Sequence, residues 1–218
     1  MKSSSSRNRR ADARRSRAAI LDAATQVLNV EPDAGLGAIA MAAGVTRPTI
    51  YAHFPSREQL LLAVVDRITD EAVAAMDAIA LDTDTDTAAE TLLRMIDAGA
   101  QVTERYPVLL KMISAQPVST EADRDRHLPV ADRIGQVIER GRRSGEFDDR
   151  LPVDWLVAST IALGHTASTE QDAGRLPATA ARDVLRASLL RLLGAAEPAD
   201  ASGSGPSTPD ANSGDRCD

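Results

Sequence analysis

The scarcity of sheet-forming side chains constrains this chain most. In 218 residues there are five aromatics (Tyr51, Phe54, Tyr106, Phe147 and Trp155) against 38 alanines. Sheets are held by aromatic and β-branched side chains packing across strands, whereas alanine is the best helix former. No segment alternates apolar and polar residues in the manner of a half-buried strand, so an all-α fold is expected. Hydrophobic residues make up 43% of the chain, enough for a sizeable core and too many for a disordered polymer. The longest apolar run, Leu60 to Val65, is far too short to span a bilayer. The basic opening lacks the apolar stretch and cleavage site of a secretory signal, and the single Cys217 cannot build a disulfide framework, a thiolate zinc site or a redox pair. A cytoplasmic helical protein is expected.

Charge is unevenly spread. Residues 1–60 hold nine basic and five acidic side chains, a net +4, so the remainder of this −7 chain carries −11. A basic head on an acidic body points to a polyanionic partner for the head alone. Residues 1–13 are polar without an apolar face and read as a disordered basic arm; 197–218, with three prolines and an excess of acids, read as a disordered acidic tail. Between them Pro and Gly divide the chain into helices at about 14–30, 36–43, 46–54, 56–81, 88–105, 107–116, 121–143, 152–170 and 177–193. Ser56 followed by Gln59 forms a capping-box pattern, and Thr87 closes a polar linker as the next N-cap.

The two shortest segments carry the most information. Helices of eight or nine residues are unstable alone, and the spacing of Ala40, Gly44, Val45 and Ile50 supplies what a helix-turn-helix requires. A small residue lets the second helix approach, a glycine accepts the left-handed turn, and Ile39, Val45 and Ile50 fill the wedge. The second of these helices can then present Arg47, Pro48, Thr49 and Tyr51 outward, with Thr46 at its head. An Arg47 fork suits guanine O6 and N7, Thr49 suits a phosphate or a thymine methyl, and Tyr51 suits a phosphate. Arg57 sits in the first turn of the following helix, where a cation is disfavoured by the dipole unless a phosphate stands nearby.

The stretch Gly44-Val-Thr-Arg-Pro-Thr-Ile-Tyr-Ala-His-Phe-Pro-Ser-Arg-Glu58, preceded by Ile39-Ala40 and followed by Leu60-Leu61, resembles the DNA-binding domain of the tetracycline-repressor (TetR) family over about residues 17–65. Beyond it the resemblance is a shared helix plan, with Gly145-Glu-Phe147, Leu151-Pro-Val-Asp-Trp155 and Gly174-Arg-Leu176 similar to many such C-terminal domains. The resemblance implies a helix-turn-helix domain at 14–55, a helical ligand-binding and dimerisation domain at 56–196, and a homodimer on a palindromic DNA operator, released by a small-molecule effector. Arg47, Pro48 and Thr49 fall where the family meets base edges or adjacent backbone, and Tyr51 and His53 at phosphate-contact positions. Arg57 stands where a phosphate-binding Lys is usual. Gly35-Leu36-Gly37 replaces the usual capping Ser or Thr of the preceding helix, leaving only backbone N–H groups there. The arm can compensate by neutralising further phosphates, which makes binding strongly salt-dependent.

In the body, Met95, Tyr106, Met112, Trp155 and His165 are the distinctive candidates for an effector pocket, with core packing as the alternative for each. The last two helices offer a dimer surface through Val157, Ile161, Leu185, Leu189 and Leu192, with an intramolecular core as the alternative. Two other functions are weighed. One is a ligand-independent DNA-binding protein of the same fold, of the nucleoid-occlusion type; the other is a helical enzyme. His53, His127 and His165 are scattered in sequence and no phosphate loop occurs; Asp123, Asp125 and His127 look like a solvated helix start, so no catalytic residue, metal or cofactor is expected.

Overall fold

The computed structural model describes residues 2–80, 86–114 and 120–195, and among them every regular element is a helix. These are α1 (Lys2–Val30), α2 (Leu36–Ala42), α3 (Arg47–His53), α4 (Arg57–Ala80), α5 (Ala88–Thr103), α6 (Pro107–Ser114), α7 (Thr120–Ser144), α8 (Val153–Asp172) and α9 (Ala178–Leu193). No helix of the described residues is long and apolar enough to cross a membrane. The tail at 197–218, with Cys217, lies outside the described residues, as do most of the linker before Thr87 and the side chain of Asp123.

The largest departure from expectation is α1, which begins at Lys2 instead of near residue 14. No proline or glycine precedes Pro32. Once the packed part around Ile20, Ala24 and Leu28 nucleates the helix, each further Arg or Ala adds a backbone bond at little cost, with no apolar face required. The other helices end where their caps dictate. Pro107 opens α6, Pro152 and Pro177 are the N-caps of α8 and α9, and Thr87 forms a reciprocal capping box with Glu90.

Two large apolar clusters share α4 as a common wall. The first gathers Ile20, Leu28, Ile39, Ile50 and Phe54 with Leu60, Leu61 and Val64 of α4, and it also takes in Val102 and Leu109 from α5 and α6. The head core therefore does not close at residue 55. The second joins Met76 of α4 to Leu92, Met95, Ile138, Phe147, Leu156 and Leu193. Across its edge Arg133 donates to both carboxylate oxygens of Asp77, at 2.9 and 3.1 Å, which holds that carboxyl below its ordinary range.

The turn after α7 is set by close approach. A β-carbon on buried Gly141 would stand 2.3 to 2.8 Å from three ring carbons of Phe147, and Phe147 N–H donates back to Gly141 O at 3.1 Å. The ring is rigid and fully enclosed, so it has nowhere to retreat. Gly141→Ala is therefore expected to lower stability by about 1–3 kcal/mol despite alanine's better helix propensity, seen as a reduced urea midpoint at unchanged slope. An equal or higher midpoint would show that the ring can move.

Candidate nucleic-acid interface

The exposed face of α3 is built from the turn before it. At the end of α2, Gly44 N–H donates to Met41 O at 3.1 Å and Val45 N–H to Ala40 O at 3.0 Å, while Gly44 adopts φ +65°. This pair of bonds with a left-handed residue is a Schellman closure, and it turns the chain sharply out of α2. Thr46 then caps α3, its Oγ1 accepting from Thr49 N–H at 3.3 Å and lying 2.8 Å from Thr49 Oγ1. Pro48 in the first turn gives up a donor that the helix does not need.

Burial divides the seven residues of α3 cleanly. Ile50 is fully buried and Phe54, at the C-cap, nearly so, both against the core of α1, α2 and α4. Thr46, Arg47, Pro48 and Tyr51 are exposed, and Thr49 and His53 half-buried. Four of the seven residues expected to meet DNA thus line one outward face, with Thr49 and His53 at its margins. The Arg47 guanidinium has no hydrogen bond or ion pair with any described residue, so its donors are unspent. Arg17 of α1 lies over the Phe54 ring at 5.3 Å, bringing the basic helix to the end of α3. Arg10, Arg14, Arg15 and Arg17 are all exposed, with Arg15 paired to Asp12.

Arg57 is placed differently from its neighbours. Half-buried, it donates to Pro32 O and to Ala34 O in the α1–α2 turn and reaches Met112 Sδ at 3.5 Å on α6. Its bonds tie three elements together behind α3. Gly35 caps α2 with no side-chain hydrogen bond.

The body candidates do not assemble into one cavity lining. Met95 is fully buried in the second cluster. Tyr106 and Met112 are half-buried against the head core, Tyr106 with its hydroxyl 3.5 Å from Glu71 Oε2. Trp155 is 59% exposed on α8, and His165 is also exposed there. His165 meets His127 across α7 and α8, ring centroids 5.0 Å apart, so two histidines distant in sequence are neighbours in space. No group of three metal-ligating side chains occurs among the described residues. Of the dimer candidates, Leu189 has no exposed surface, while Val157, Ile161, Leu185 and Leu192 pack partly against the body clusters. The large apolar side chains that α8 and α9 do expose are Trp155 and Val184, a placement that the 3.6 period alone does not reveal.

Comparison with known proteins follows this geometry. The sequence pattern of the family described as "Bacterial regulatory proteins, tetR family" matches residues 20–64, which run from the packed part of α1 into α4. The HTH-type transcriptional repressor LfrR of Mycolicibacterium smegmatis is 48% identical over 63 residues, 29% of this chain and 33% of LfrR. The HTH-type transcriptional regulator EthR of Mycobacterium tuberculosis is 39% identical over 64 residues, 28% of this chain and 30% of EthR. The matched stretch thus spans about a third of the length of each curated relative. The crystal structure of LfrR in complex with proflavine superposes with a TM-score of 0.58 at 28% identity, covering 81% of this chain and 94% of that one. A tetR-family bacterial regulatory protein from Rhodococcus RHA1 shares the fold at a TM-score of 0.61 and 19% identity, over 84% of this chain and 98% of its own. The curated relatives and the LfrR structure are named as transcriptional regulators. The family pattern thus lies on the helix-turn-helix, over residues 20–64 alone, while the fold of the LfrR structure is shared through the body.

Proposed function

We propose that this chain is a cytoplasmic homodimeric repressor that holds a palindromic DNA operator and releases it when a small molecule binds the helical body. The observation that carries the reading is the exposed face of α3, headed by an Arg47 guanidinium with unspent donors. Arg47 would read a guanine edge; Pro48 and Thr49 would fit the adjacent bases or backbone; Thr46, Tyr51 and His53 would meet phosphates. Arg57 serves the same surface from behind by holding the α1–α2 turn against α6. One short helix touches few base pairs, so two heads about 34–36 Å apart are needed to read successive major grooves. The exposed Trp155 and Val184 support α8 and α9 as the pairing surface. Met95 on α5, Tyr106 in the turn after it and Met112 on α6 are the better candidates for effector contact, because Trp155 and His165 stand on the outside of α8.

Selection of bound sequences from a random 40-bp duplex pool is expected to return a palindrome. Against the selected duplex, Arg47→Ala should relax preference at one symmetric position by about 1–3 kcal/mol while leaving binding to random duplex nearly unchanged. Equal losses on both duplexes would remove Arg47 from base reading. Replacing Arg10, Arg14 and Arg17 together by Ala should shallow the salt dependence of dimer binding by about five in the log–log slope, since each of two heads loses three charges; an unaltered slope would take the basic part of α1 off the phosphates. For the effector, a thermal-shift screen of small apolar and cationic compounds should begin with proflavine, the compound bound in the LfrR structure. A compound that raises Tm and lowers operator affinity is expected. Full operator affinity with every compound that binds would favour the ligand-independent DNA-binding alternative.

A further inference from the structure

Gly37 stands inside α2, one residue after its start, at a position where a helix would prefer almost any other side chain. Its backbone does not require glycine, since the positive-φ glycines are Gly44, Gly145, Gly174 and Gly194. What distinguishes it is the neighbour above its missing β-carbon. A Cβ at Gly37 would lie 3.2 Å from Nη2, 3.4 Å from Nε and 3.5 Å from Cζ of Arg47. The guanidinium therefore stands over the place that a side chain at position 37 would take, with Nη2 nearest and Cζ farthest of the three. Gly35, two residues earlier, would meet nothing within 4 Å. The close approach belongs to Gly37 alone in this helix and turn.

We propose that Gly37 is a positioning residue for DNA recognition: it forms a shelf on which the Arg47 guanidinium rests, already aimed from α3 toward the base edge. The inference rests on the reading of Arg47 as the base-contacting residue. Thr46 and Pro48 fix the backbone of Arg47 at the start of α3, but a long side chain anchored only at its base samples many rotamers, and binding must then order them. Contact with α2 limits that freedom at the tip. The donors remain available for a guanine because Arg47 spends none of them in a hydrogen bond to the described residues.

Gly37→Ala separates this role from a structural one by sign. The displaced atoms are the far end of a flexible side chain, so the fold is expected to survive and α2 to gain helix propensity, with Tm unchanged or higher by about 2 °C. Affinity for the selected operator should nevertheless fall roughly three- to tenfold, while a random-sequence duplex of equal length is bound as before. In the Arg47→Ala background the same substitution should change operator affinity by less than about 1.5-fold, because the group it seats is gone. A fall in Tm together with equal losses on both duplexes would overturn the proposal, as would an operator loss that persists undiminished without Arg47. If Arg47→Ala weakens the operator but Gly37→Ala does not, the shelf is wrong and the assignment of Arg47 stands. If Arg47→Ala fails to discriminate between the duplexes, that assignment fails first and carries the shelf with it.

Discussion

A helix of seven residues does not persist in water by itself, and both α2 and α3 are that short. They exist because Ile39, Ala40, Ile50 and Phe54 are driven into one wedge against α1 and α4. Gly44 makes the wedge possible, since its left-handed backbone closes α2 and launches α3 within two residues. Every feature of the recognition face follows from that burial: once Ile50 and Phe54 point inward, Arg47, Pro48 and Tyr51 have no direction but outward. The chemistry offered on that face is thus a by-product of apolar packing, set by the side chains that burial leaves on the far side.

Electrostatics plays a secondary part in holding the fold. Most ion pairs among the described residues, such as Arg182 with Glu104 or Arg175 with Glu170, have at least one exposed partner and contribute little net stability. Their positions matter more for what they leave unpaired. Arg15 is matched with Asp12, and Arg57 is spent on backbone carbonyls, so among the described residues the unspent positive charge of the head is concentrated at Arg47 and at Arg10 and Arg14 of α1. An acidic body beneath such a head repels polyanions from the rest of the surface.

Most of this architecture was legible in the residues. Proline and glycine mark nearly every helix end because they act on the local backbone, and the spacing from Ala40 to Ile50 defines the wedge for the same reason. Three things were not legible, each for a physical cause. The start of α1 escaped because helix propagation needs no apolar face. The inward turn of Arg57 and the rest of Arg47 on Gly37 escaped because the direction of a long side chain is decided by partners distant in sequence. The burial of Leu189 and the exposure of Trp155 escaped because periodicity names an apolar stripe without naming what it packs against. The histidines are scattered in sequence, and folding brings His127 and His165 together.

The first apolar cluster includes Val102 and Leu109, and Asn29 near the end of α1 holds α6 in place, donating to Arg105 O at 3.1 Å and accepting from Leu109 N–H at 3.3 Å. The head accordingly borrows part of its interior from the body and is no self-sufficient module. Excised near residue 55, it would expose Ile20, Leu28 and Ile50 to water and forfeit the surroundings that make α2 and α3 helical. Such an architecture resists shuffling of heads between bodies during evolution, because each graft must also reconcile two halves of one interior.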